Sequence, residues 1–372
     1  MVGRIALRPL LRVLRGARKD RGWAELRVLL KDRLLPRRKL SKNQDPLPPL
    51  LFQMATGYWL SQAVYVAAKL GIADRMSDRP QSSVELASAT GCDAGSLFRV
   101  LRALSSAGVV SQVDTDGFTL TASGHALRSD VPGSLRRILI TLGEVHYQAC
   151  GELLHAVCSG SPAFDRVFGA SLFEHLQRNA HDGAAFNQGM TDLSSLVAHA
   201  VGLAYDFSGI TSIVDIGGGE GELLRRILDL YPEMTGIVFD SSRELRSPRS
   251  PSDKDRCSFL AGSFFDFVPE RAEAYLLCSV LHDWDDERAA VILRNCHKAM
   301  ARKGRLLIVE TVVPETNSAS FSKLLDINMM VMTSGRERTK SEFHRLLHDA
   351  DLRIARVIPT MAPQSIIEAH PK

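Results

Sequence analysis

The 372-residue chain is 45% hydrophobic and 24% charged, an ordinary globular composition with length enough for two domains, and no window of about 18 uninterrupted apolar residues offers a membrane span. Its net charge of +4 is unevenly spread: residues 1–44 hold 14 lysines and arginines against three acids, a net of +11, which leaves −7 on the rest. Six scattered cysteines form neither a CxxC pair nor a zinc-spaced Cys/His run, so no metal is expected, and they read as reduced thiols of a cytoplasmic protein.

In the basic arm, Leu7, Leu10, Leu11 and Leu14, then Trp23, Leu26, Leu29, Leu30 and Leu34, recur at helical spacing with arginines opposite. Arginine interrupts every apolar run, so a secretory signal is not expected. The arm is read as a docked or partly disordered extension. Peripheral contact with an anionic membrane surface is the alternative use of such a helix. Asp45-Pro46-Leu47-Pro48-Pro49 reads as a stiff linker that ends it.

Residues 45–140 predict helices followed by a winged helix-turn-helix. "SSVELASATGCDAGSLFRVLRALSSAGVV" gives a helix, a turn at Gly91 and a second helix, and "SQVDTDGFTLTASG" gives a hairpin turning at Asp116-Gly117. Such modules often read DNA, and a nucleoside-sensing regulator is one reading of the chain. The second helix offers only Arg99 and Arg102 as basic side chains, which favours dimerisation or core packing and no nucleic acid.

Residues 141–205 read as helical. From 211 onward the apolar runs "TSIVDI", "TGIVFD", "AYLLCSVL" and "GRLLIVETVV" alternate with helical patterns at 222–230 and 286–301, the signature of a parallel α/β sheet over residues 206–372. The first run ends in Gly217-Gly218-Gly219-Glu220-Gly221. A dinucleotide fingerprint needs glycine at 222, where Glu222 stands, and no phosphate-loop lysine follows. Asp215 and Glu220 add carboxylates that a pyrophosphate would avoid. The turn suits a nucleoside carrying positive charge, and S-adenosylmethionine, with an ammonium and a sulfonium, fits. Asp240, ending the next strand, is placed to accept ribose hydroxyls, and Gly262, Ser263 and Phe264 to flank the base.

"AYLLCSVLHDWDDERA" delivers His282 to the carboxyl end of the fourth strand, with Glu310 after the strand Leu306–Val309 and Glu337 in "SGRERT" able to return to the same edge. A lone histidine there is most simply a satisfied core or capping residue, with Asp283 and Asp285 opening the next helix. Two acids placed to converge on it favour a general base whose tautomer and basicity they set.

Taken in order, "VDIGGGEG", "VFD", "GSFF", "VLHDWDDE", "VET" and "GRERT" behind a winged-helix region resemble the caffeate/hydroxyindole type of S-adenosylmethionine-dependent O-methyltransferase, over roughly residues 50–370. The resemblance implies a Rossmann-like class I methyltransferase domain (doubly wound, mostly parallel) with an N-terminal winged-helix dimerisation domain. It implies a homodimer, and a hydroxylated, hydrophobic secondary metabolite as acceptor. His282 matches the base, Glu310 and Glu337 its assisting acids, Gly217 and Gly219 the glycine turn, and Asp240 the ribose acid. Phe186, Asn187 and Met190 match an acceptor-lining stretch that 141–205 supplies, and Asp283, Asp326 and Met330 are assigned to the acceptor as well. Ser263 stands where relatives have an adenine-contacting aspartate, and Cys278 where a lysine is usual. Relatives that methylate nitrogen or carbon, or that hydroxylate, decarboxylate or run pericyclic chemistry on this fold, are the competing readings.

Overall fold

The computed structural model describes residues 50–241 and 256–372. The basic extension expected over 1–44 and the proline linker lie outside the described residues. The described chain divides into two compact units.

One unit runs up to Gln148 and takes in Asn179–Leu193. Its elements are α1 (Gly57–Leu70), β1 (Gln81–Ser82), α2 (Ser83–Thr90), α3 (Ala94–Ser106), β2 (Val110–Gln112) and β3 (Gly117–Leu120). The sequence sets these boundaries through local hydrogen bonds. Ser82 and Glu85 form a reciprocal capping box at the start of α2, Gly91 ends it in a left-handed conformation, and the Asp93 side chain caps α3 by accepting from the Ser96 N–H. Leu86, Leu97, Leu101, Leu104 and Phe118 bury the common core, and the antiparallel sheet β1-β3-β2 forms the wing. The helix, turn and wing expected here are all present. Arg99 and Arg102 stay exposed on α3.

The other unit joins Ala149–Arg178 to Ser194–Lys372. The stretch 141–205, read as one helical segment, is therefore divided between the units, and α4 (Ala180–Ala204) begins in one and ends in the other. After it come β4 (Ser212–Ile216), α5 (Glu222–Leu230), β5 (Thr235–Asp240), β6 (Cys257–Ala261), β7 (Ala274–Cys278), α6 (Asp286–Ala299), β8 (Arg305–Val313), α7 (Phe321–Met332), β9 (Arg338–Thr339), α8 (Lys340–His348), β10 (Leu352–Pro359) and β11 (Gln364–Pro371). Strand order is β10-β11-β8-β7-β4-β5-β6, with β9 paired to β8; β4 to β9 pair in parallel, and β11 runs antiparallel to both its neighbours, β8 and β10. The expected mostly parallel α/β sheet is what forms.

The central strands are apolar throughout because both faces are covered. Tyr275 and Leu277 of β7 pack with Ala289, Ile292 and Leu293 of α6 and with Phe343 and Leu347 of α8. Leu276 faces the opposite cluster, with Leu224 and Ile227 of α5 and Val197 and Val201 of α4. The chain leaves β4 toward β5 and β6, then returns on its other side to β7. That reversal opens a crevice at the carboxyl ends of β4 and β7, where ligands of open α/β sheets bind.

Candidate active site

Gly217 and Gly219 adopt φ of +69° and +54°, conformations that L side chains rarely take, and a Cβ on Gly217 would come within 2.7 Å of Val280. The turn is held by Gly217 N–H donating to Phe239 O (2.8 Å) and Gly219 N–H donating to Asp240 Oδ2 (2.8 Å). Burial raises the Asp240 carboxyl above its usual range against the N–H bonds it accepts from Gly219 and Ser241. Beneath the turn, Asp215 is 1% exposed and neither carboxylate oxygen has a hydrogen-bond partner among the described residues. Burial and the nearby Asp240 charge push its pKa up to about 7. An orphaned carboxylate of this kind costs about 1–3 kcal/mol or more. A ligand bearing positive charge offsets that cost, so the donor set fits the ammonium and sulfonium of S-adenosylmethionine.

The segment after β6 is tied to α6: Asn295 Nδ2 donates to the carbonyls of Phe264 (3.0 Å) and Phe265 (2.9 Å), and Ser263 Oγ accepts from Phe265 N–H. A Cβ on Gly262 would strike the Phe239 ring at 2.5 Å, so this bend needs glycine. Cys278 closes β7; burial first, then the charges of Asp215 and Glu310, raise its thiol pKa.

At the end of β7 the chain kinks through Ser279, φ +53°. The next three N–H groups, of Val280, Leu281 and His282, then converge on Glu310 Oε1 at 3.1, 3.0 and 3.4 Å. A single 3₁₀ turn, Leu281–Asp283, presents His282, whose side chain is 15% exposed. Its Nδ1 lies 2.7 Å from Glu337 Oε1 and 3.5 Å from Glu310 Oε2. The other Glu337 oxygen accepts from Thr311 Oγ1, and Glu337 N–H donates to Asp326 Oδ1 at 2.8 Å. His282 Nε2 has no hydrogen-bond partner among the described residues; Asp283 Oδ1 stands 3.7 Å away. Burial alone would lower the imidazole pKa, but the charges of Glu310, Asp283 and Glu337 outweigh it and lift the pKa to about 10. Burial also raises the Glu310 carboxyl and pushes Asp283 up to about 6.

His282, Glu310 and Glu337 are thus brought together, with ligand atoms within 4.8 Å of one another. One placement differs from the sequence reading. Glu310 lies inside β8 rather than after its strand, because pairing continues to Val313. Asp326 bonds the Glu337 main chain, on α7, and so supports that carboxylate. Phe186, Asn187 and Met190 stand on α4 within the unit that ends at Gln148 and includes Asn179–Leu193, while Met330 is half-buried on α7 of the other. Asp285 is the N-cap of α6, accepting from Arg288 N–H. Thr311 and Arg338 went unread: each adjoins a motif acid in sequence, but only the fold shows what its side chain touches. Among the described residues no helix is long and apolar enough to cross a membrane.

An O-methyltransferase domain profile matches residues 150–353, and an O-methyltransferase dimerisation domain profile matches residues 52–130. The chain is 43% identical to the phenazine O-methyltransferase of Lysobacter antibioticus, over 88% of this chain and 97% of that protein. It is 33% identical to the phenazine-1-carboxylate N-methyltransferase of Pseudomonas aeruginosa, over 83% of this chain and 92% of that one. A methyltransferase of calicheamicin biosynthesis, solved with S-adenosylhomocysteine (SAH) bound, superposes with a TM-score of 0.79 at 34% identity, covering 87% of this chain and 97% of its own.

Proposed function

The chain belongs to the S-adenosylmethionine-dependent O-methyltransferase family, and from that premise we propose that it methylates a phenolic or enolic hydroxyl of a small, hydrophobic secondary metabolite, with His282 as general base. The observation that carries this reading is the asymmetry of His282: Nδ1 is engaged by Glu337 at 2.7 Å, while Nε2 accepts or donates no hydrogen bond among the described residues and has Asp283 Oδ1 only at 3.7 Å. A planar hydroxylated aromatic, such as a hydroxyphenazine, is the acceptor class favoured by similarity to the phenazine enzyme.

S-adenosylmethionine, when bound, supplies an electrophilic methyl group. Asp215, Gly217, Gly219 and Asp240 hold it, with Gly262, Ser263, Phe264 and Cys278 beside them. Glu337 and Glu310 keep the Nδ1 proton in place and stabilise imidazolium, leaving the Nε2 lone pair for the acceptor hydroxyl. Nε2 takes the proton of that hydroxyl as its oxygen attacks. Glu310 also fixes the turn through three main-chain N–H bonds, so one carboxylate serves both orientation and basicity.

N-methylation is the second reading, favoured by the Pseudomonas aeruginosa relative. A neutral ring nitrogen needs no proton acceptor, which makes the His282–Glu337 pair redundant for it. Methyl-labelled S-adenosylmethionine incubated with matched hydroxy- and amino-phenazines distinguishes the two. Label is expected on oxygen; label on nitrogen alone overturns the O-methyl assignment.

Asp240→Ala should weaken SAH binding about 10- to 100-fold by calorimetry, the loss of one or two bonds to a charged acceptor. Unchanged affinity would contradict a ribose contact. The fold profile, together with the reduced cysteines, supports a cytoplasmic homodimer.

A further inference from the structure

We infer that Arg338 is a positioning residue for His282: its guanidinium fixes the turn that aims the imidazole, an inference that rests on the general-base reading. Arg338 is the largest fully buried side chain among the described residues, at 1% exposure. Its Nη1 donates to Leu281 O and its Nη2 to Trp284 O, both at 2.9 Å, and its Nε donates to Asp286 Oδ1 at 2.9 Å. The two carbonyls bracket His282 and Asp283, and Asp286 opens α6 just beyond. The guanidinium therefore clamps both ends of the turn that carries the base.

The clamp is itself anchored. Arg338 pairs with Val312 in the β8–β9 ladder, two residues beyond Glu310, and directly follows Glu337. The same segment closes onto the turn at Gly335, where a Cβ would fall 1.9 Å from the His282 carbonyl oxygen. One short stretch thus supplies the carboxylate that polarises the ring and the cation that holds its main chain. A stabilising ion pair alone would gain little here, because its carboxylate, Asp286, is 58% exposed while the cation bears the full desolvation cost. The planar fork of arginine reaches three acceptors in different directions; a lysine ammonium is a single point charge.

The test compares Arg338→Lys in the wild-type and His282→Gln backgrounds, reading kcat, KM and SAH affinity by calorimetry. Misplacing a reacting group by about 1 Å can cost on the order of 10²-fold. R338K is expected to lower kcat roughly 10- to 100-fold with SAH affinity within a few-fold, and to cost almost nothing further once His282 is Gln. Asp286→Asn, at an exposed position, guards against a folding failure: it should give a smaller kcat loss that likewise vanishes in the His282→Gln background. Losses that are additive with His282→Gln, or that track lost SAH binding, overturn the inference and leave the base reading standing. If His282→Gln alone keeps wild-type turnover, the base reading fails and this one with it.

Discussion

His282→Gln will turn over about 10²- to 10⁴-fold more slowly at neutral pH while binding SAH as tightly as the wild type. Glutamine roughly preserves side-chain bulk and polarity but provides no basic nitrogen for the acceptor proton. The deficit should hold from neutrality up to pH ~10 and shrink above it, where a phenolic acceptor is ionised without help. Steady-state kinetics across that range, with calorimetry for SAH, check both parts. Turnover within a few-fold of wild type at neutral pH would remove His282 from the chemistry. A deficit that persists undiminished above pH ~10 would mean that the residue orients the acceptor rather than deprotonating it.

The parts of the fold that local rules control were legible in the sequence. The turn at Gly91 and the glycine turn after β4 are read from neighbouring residues alone. The strands alternating with amphipathic helices likewise announce a parallel sheet, because burial of both faces demands the continuous apolar runs seen in β7 and β8. Legibility ends where a side chain answers to residues far along the chain. Glu310 looked like an acid beyond its strand, yet it sits within β8 and gathers three N–H groups from about 30 residues upstream. Asp326 bonds the Glu337 main chain, and Arg338, which follows Glu337 in "GRERT", is buried at 1% exposure. None of these follows from spacing, since each depends on how α7, β8 and β9 pack around one turn.

That packing also changes the energetics of the proposed reaction. A free imidazole near ~6.5 facing a phenol near ~10 would leave proton transfer uphill by roughly 5 kcal/mol. With the imidazole lifted to about 10, donor and acceptor are matched, and transfer in step with attack at carbon becomes nearly level. The consequence is a base that is neutral only toward alkaline pH, so kcat/KM of the wild type should rise with pH from neutrality toward that value. A cation bound nearby lowers the imidazole pKa and draws the limb down from about 10. Glu337→Gln removes one of the anions that favour imidazolium, 2.7 Å from Nδ1, so its acid limb should move to lower pH by about 1–3 units. Its upper plateau should drop by roughly tenfold or more, because a weaker base gives less assistance. The variant is therefore least impaired at acidic pH and most impaired at alkaline pH. A pH–rate profile with an unshifted limb would show that Glu337 does not set the basicity of His282, and the charge assembled behind the ring would need another purpose.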